Sequence, residues 1–175
     1  MNTRILALCY PELSEEDSTF IDEFRAEHDK KYVSVVRPHF TMFFPVADLE
    51  AGDFTTHIES SIRGFEPFDF TCRYASLNND DGCDDWYVFL IPDEGNSNVH
   101  LLHDRIYTGA YAKHHRLDLG YIPHIGIGTD SDVMKLKNQC GKLNQKGLAI
   151  SGRVSEIVIA EYDGSTVHDL KTIKF

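Results

Sequence analysis

Between Phe68 and Tyr74 the chain sets Phe68, Phe70, Cys72 and Tyr74 against Asp69, Thr71 and Arg73. This period-two alternation is what a strand with one buried face requires. The cluster Asn78-Asn79-Asp80-Asp81-Gly82 follows with turn chemistry, and residues 85–91 form a second stretch rich in aromatic and β-branched side chains. The two stretches predict a hairpin, which commits the middle of the chain to antiparallel pairing.

The flanks alternate between strand and helix. Residues 4–10 read as an apolar strand, and Ser14 with Asp17 three residues on has the spacing of a capped helix start. That helix runs to about His28 and buries Phe20, Ile21 and Phe24. A strand over 33–46 and a helix over 53–63, stopped by Gly64, come next. After the hairpin, Ser97 caps a helix reaching about His115, a strand covers 121–128, and a helix from near Ser131 stops before Gly147. The last strands, 148–162 and 167–175, turn around Asp163-Gly164. Helices mixed with hairpins predict an α+β fold with mostly antiparallel sheets and helices packed outside. A strand bearing Pro-His followed by a helix recurs once in each half, so the expected layout is one domain over 1–175, bilobal, with a central cleft between similar lobes.

Composition narrows the partners. With 28 acidic and 17 basic residues the chain carries a formal charge of -11, a field that repels a long phosphate polymer. A small phosphate ester is compatible, because a few local donors outweigh the net field at short range. The first ten residues hold too short an apolar run for a secretory segment, and no stretch reaches membrane-spanning length, so no membrane partner is expected. The four cysteines, Cys9, Cys72, Cys83 and Cys140, are scattered, which suits reduced thiols and a cytoplasmic location. Oligomeric state cannot be read from the sequence.

The repeated element is Pro38-His39-Phe40-Thr41 and Pro123-His124-Ile125-Gly126. Strand parity puts Arg37, His39 and Thr41 on one face and Phe40, Met42 and Phe44 on the other, and separates His124, Gly126 and Gly128 from Ile125 and Ile127. Each histidine therefore stands opposite an apolar row. If folding unites them, one neutral imidazole can take a proton from an attacking hydroxyl or water while the other, as imidazolium, protonates a leaving oxygen. The Thr41 hydroxyl could donate to a phosphoryl oxygen, and Arg37 could add a charge-assisted bond. Neither metal nor cofactor enters this scheme.

The paired His-x-Thr/Ser pattern, each copy preceded by proline, resembles the 2H phosphoesterase superfamily, the group of 2',5' RNA ligase-like proteins and cyclic phosphodiesterases. The resemblance covers essentially the whole chain. It implies that His39 and His124 are the acid-base pair, that Thr41 binds phosphate, and that the substrate is a 2',3'-cyclic phosphate or 2',5'-linked end of a small nucleotide or RNA terminus, hydrolysed without metal. Gly126 departs from the pattern, standing where the family has Thr or Ser. Thr129 has the wrong parity to replace it. A degenerate site that holds a phosphate ester with little turnover is therefore the alternative.

Other features carry less. Phe43, in line with His39 and Thr41, and Tyr121, before the second motif, could stack on a base, although packing is the commoner role for such residues. His100, His103 and Asp104 share a helix, with His114-His115 near its end, but surface histidines explain them and no metal is expected. The acidic run Asp80, Asp81, Asp84 and Asp85 lacks the spacing of a calcium loop and reads as a solvated tip.

Overall fold

A computed structural model describes residues 3–79 and 84–175; Cys83 and most of the predicted hairpin tip lie outside them. The elements run β1 (Arg4–Cys9), β2 (Glu12–Leu13), α1 (Glu15–His28), β3 (Phe40–Ala47), α2 (Ala51–Ser61), β4 (Phe68–Asn79), β5 (Trp86–Glu94), α3 (Asn96–Ile106), a 3₁₀ helix (Gly109–His114), β6 (Ile125–Asp130), α4 (Val133–Gln145), β7 (Ile150–Val154), β8 (Glu156–Tyr162) and β9 (Val167–Lys174). The strands form a four-stranded sheet in the order β3-β1-β8-β9 and a five-stranded sheet in the order β2-β7-β4-β5-β6. Pairing within both is antiparallel. The fold is α+β, as the hairpin and helix patterns predict.

The predicted hairpin is β4-β5, with Leu77 opposite Val88 and Asn79 opposite Trp86. At the head of α1 the Ser14 hydroxyl accepts the Asp17 N–H at 3.0 Å, which satisfies one of the free donors of the first turn. Helix α3 packs on β3 and α2 on α3, while α4 lies against β4, β5 and β6 and α1 against β6. One apolar cluster joins Phe40 and Phe43 of the first sheet to Phe70, Leu90 and Ile125 of the second. Across it Phe40 and Phe70 meet edge to face at 5.0 Å, which fixes the sheets against each other directly beneath the first motif.

Several expected boundaries move, each for a tertiary reason. The strand expected from residue 33 begins only at Phe40, because Arg25 holds the preceding segment in turns by donating to the Tyr32 and Val36 carbonyls at 2.9 and 2.8 Å. The strand expected over 148–162 is two, separated at Ser155, with β7 in one sheet and β8 in the other. The helix expected to reach His115 starts after Gly95 rather than Ser97 and ends at Ile106. Gly95 has φ 77, and a Cβ there would lie 2.4 Å from the Asp69 carbonyl oxygen, so only glycine fits that junction. The strand expected from 121 starts at Ile125, after an irregular approach. The sheets also do not divide the chain into halves. β1 and β3 lie with β8 and β9 from the far end of the sequence.

Candidate active site

Each Pro-His segment leads into an edge strand, β3 of the first sheet or β6 of the second. In both, the ring turns back onto its own backbone. His39 Nδ1 lies 2.7 Å from the Arg37 carbonyl oxygen, and His124 Nδ1 lies 2.7 Å from that of Ile122. A carbonyl only accepts, so both Nδ1 atoms carry the proton and both Nε2 atoms are left with a free lone pair. Proline at the intervening position explains the repeat. Its fixed φ and missing N–H hold a bend in which the residue two back offers its carbonyl to the imidazole.

Two cross-connections join the segments. The Tyr121 hydroxyl donates to the Thr41 carbonyl at 2.8 Å, tying the approach of the second motif to the first. Behind them, Asp29 bonds Arg25 at 3.1 Å, the Tyr32 N–H at 3.2 Å and the Thr129 hydroxyl of β6 at 3.0 Å. Arg25 and Asp29 are 3% and 2% exposed, so this is a buried ion pair with its spare valences met, linking the approach to His39 with the strand that follows His124. Thr129 is spent inside that network and does not replace the hydroxyl that Gly126 lacks.

Burial dominates the titration of both imidazoles. Burial lowers the His39 pKa to about 4; its bond to the Arg37 carbonyl acts the other way, while the charges of His124 and Arg25 add to the fall. Burial likewise lowers His124 to about 4, against its bond to the Ile122 carbonyl. At neutral pH both rings of the free site are therefore neutral, and an anion must accompany any proton that makes one an acid.

Thr41 is half-buried and pairs with Leu8 of β1, on the face that carries Tyr10. Gly126 is the open counterpart, since a Cβ built there meets nothing within 4 Å. The hydroxyl missing from the second motif is therefore not excluded by crowding. Arg37 is largely exposed; its guanidinium bonds Asp169 at 2.6 Å and lies 3.7 Å from the Tyr10 ring centre. An open groove of about 640 Å³ passes Tyr10, Arg37, Pro38 and Asp169, and neither His39 nor His124 lines it.

The two aromatic candidates need correction. Phe43 is fully buried among Phe54, Tyr107 and Tyr111 and cannot reach a base. The cause is a bulge: the register steps from Leu8–Thr41 to Ala7–Phe43, which inserts Met42 and reverses the parity beyond it. Tyr121 is a brace rather than an open platform, stacked on His103 at 3.6 Å with its hydroxyl on the Thr41 carbonyl. Two neighbours of the histidines went unread in the sequence. Phe89 of β5 stacks on the His124 ring at 3.5 Å and 14°, and Tyr10 meets the His39 ring edge-on at 6.3 Å. Alternation in β5 marks Phe89 as facing away from Val88 and Leu90, but the ring it meets depends on the pairing of β5 with β6. Of the histidines weighed as metal ligands, His103 and His115 come together with Asp104, and His100 is not part of that group.

Among the described residues no helix is long and apolar enough to cross a membrane. Comparison with curated protein sequences finds no match. Among solved structures, LigT of E. coli complexed with 3'-AMP superposes with a TM-score of 0.56 at 14% identity, over 100% of this chain and 99% of that one. Usb1 of Kluyveromyces marxianus with uridine monophosphate gives a TM-score of 0.56 at 11% identity, over 99% of each chain. The sequence pattern of the 2'-5' RNA ligase superfamily matches residues 11–166, nearly the whole chain, and the protein belongs to that superfamily.

Proposed function

We propose that the protein is a phosphodiesterase that opens 2',3'-cyclic phosphates, or acts on 2',5'-linked ends, of a small nucleotide or RNA terminus. The observation that carries this reading is the matched orientation of His39 and His124, each with Nδ1–H on a carbonyl and Nε2 free, with His124 near enough for its charge to act on His39. One Nε2 takes a proton from water as its oxygen bonds to phosphorus. The other, protonated, gives its proton to the ribose oxygen as the P–O bond breaks, and a phosphomonoester results. Thr41 donates to a non-bridging oxygen, and Gly126 leaves room for the ester beside it. Arg37 takes part by exchanging Asp169 for the phosphate. The scheme uses no metal. The LigT and Usb1 structures hold single nucleotides, and with a formal charge of -11 a short substrate suits this chain better than a polymer. Buried free thiols at Cys9, Cys72 and Cys140 agree with work in the cytoplasm.

Phosphorus NMR of a 2',3'-cyclic nucleotide with the protein in excess chelator tests this directly. Ring opening is expected, and His39→Ala and His124→Ala should each slow it by about 10²–10⁴-fold. Turnover that ignores both substitutions would remove the His pair from the chemistry. Gly126 supports a second reading, a site that binds the ester without turning it over. Calorimetric binding of a nucleotide with no product formed would establish that reading instead.

A further inference from the structure

We propose that His103, Asp104 and His115 form a site for one divalent transition ion of the zinc type, which fastens the segment leading to the second Pro-His motif onto α3. One ligand atom from each residue lies within 4.8 Å of the others. The His103 and His115 rings stand 5.2 Å apart at 66°. Two imidazoles sharing a tetrahedral ion, with bonds of about 2.0–2.1 Å, put their ring centres roughly 5 Å apart. Asp104 lies 3.0 Å from His103 Nδ1, a separation that suits two ligands of one ion as well as a hydrogen-bonded pair.

His103 is 1% exposed, and of its two ring nitrogens Nδ1 faces Asp104 while Nε2 has no hydrogen-bond partner. The ion sits on Nδ1, where Asp104 and His115 complete a three-ligand set, and the neutral ring keeps its proton on Nε2. The donor set of imidazoles with one carboxylate suits zinc, cobalt or nickel rather than calcium or magnesium. Asp104 is exposed, so an ion can enter from solvent and keep water in its fourth position.

The surroundings hold the ligand rings in place. Tyr121 stacks on His103 at 3.6 Å, and Tyr107 stacks on His115 at 4.7 Å. Their hydroxyls reach β3, at the Thr41 carbonyl (2.8 Å) and the Phe44 N–H (2.9 Å). An ion here braces the catalytic strand and the approach to His124 without touching the reacting imidazoles. Its role is structural.

The test uses the whole protein, stripped with chelator and titrated with Co(II) while tetrahedral d–d absorption is followed. One equivalent should bind and be displaced by Zn(II), and Zn(II) should raise the melting temperature. Asp104→Asn and His115→Ala should each weaken binding by about 10–100-fold and abolish the thermal shift, while His168→Ala, at a distant exposed histidine, should do neither. Absence of saturable binding, or binding unchanged in His115→Ala, overturns the proposal. The cobalt spectrum does not depend on turnover, so its failure is distinguishable from failure of the phosphodiesterase reading.

Discussion

His39 and His124 are presented by the same local device but kept by different surroundings. Each ring donates Nδ1–H at 2.7 Å to the carbonyl two residues back, across a proline. Around His39 stand an edge-on tyrosine at 6.3 Å and, two residues on, a threonine hydroxyl. Around His124 stand a phenylalanine stacked at 3.5 Å and an empty position at Gly126. A four-residue motif thus sets the tautomer and direction of the ring, because those depend on adjacent backbone. The aromatic neighbour of each ring comes from a residue distant in sequence, and both there and at the position two residues on the two sides have diverged.

The largest expected effect breaks the link between the sides. Asp29→Ala leaves Arg25 buried without its partner and frees Thr129 from the first-motif approach, so a loss of about 3–5 kcal/mol is expected by denaturant unfolding. A loss below 1 kcal/mol would mean that the network is incidental. Next is the hydroxyl asymmetry. Thr41→Ala should lower kcat by about 10²–10³-fold with little change in melting temperature, because it removes a donor that acts mainly in the transition state. The mirror experiment is Gly126→Ser. The open space at Gly126 accepts the side chain, and a rise in kcat of roughly tenfold is expected, part of what one donor contributes. A fall would show that bare backbone, or the room it leaves, is what the second side needs.

Two smaller effects sharpen the electrostatics. Both free imidazoles have pKa values lowered to about 4, so the protonated acid becomes scarcer as pH rises above that value. kcat/KM should therefore climb as pH falls from neutral toward roughly pH 5. Binding of a phosphate monoester near neutral pH should take up close to one proton, measurable by calorimetry in buffers of different ionisation heat. The smallest change is Phe89→Leu, which keeps an apolar neighbour but removes the stacked face. A drop in kcat of less than about tenfold is expected, with the acidic limb of the profile displaced, because the ring is positioned and partly desolvated by Phe89. An unaltered profile would assign Phe89 to packing alone.

Much of this was legible in the chain. The hairpin, the Ser14 cap, the paired Pro-His motifs and the misfit of Thr129 all follow from patterns a few residues long. The readings that failed share a cause. Phe43 faces the core because a bulge at Met42 resets the parity, and a bulge is a property of two paired strands rather than of one. The split at Ser155 arises because β7 and β8 pair in different sheets. His103 and His115 meet because α3 ends at Ile106 and the 3₁₀ turn brings the chain back; a continuous helix would have carried them apart.

The sequence by itself determined the central hairpin, the Ser14 cap, the two Pro-His segments and the unequal hydroxyls, all consequences of patterns a few residues long. Tertiary structure alone decided that the charge of His124 acts on His39, that Tyr121 ties the approach of the second motif to Thr41 and that Phe89 stacks on the His124 ring. Those contacts join sheet edges far apart in the chain, and their register is set by packing across a common core.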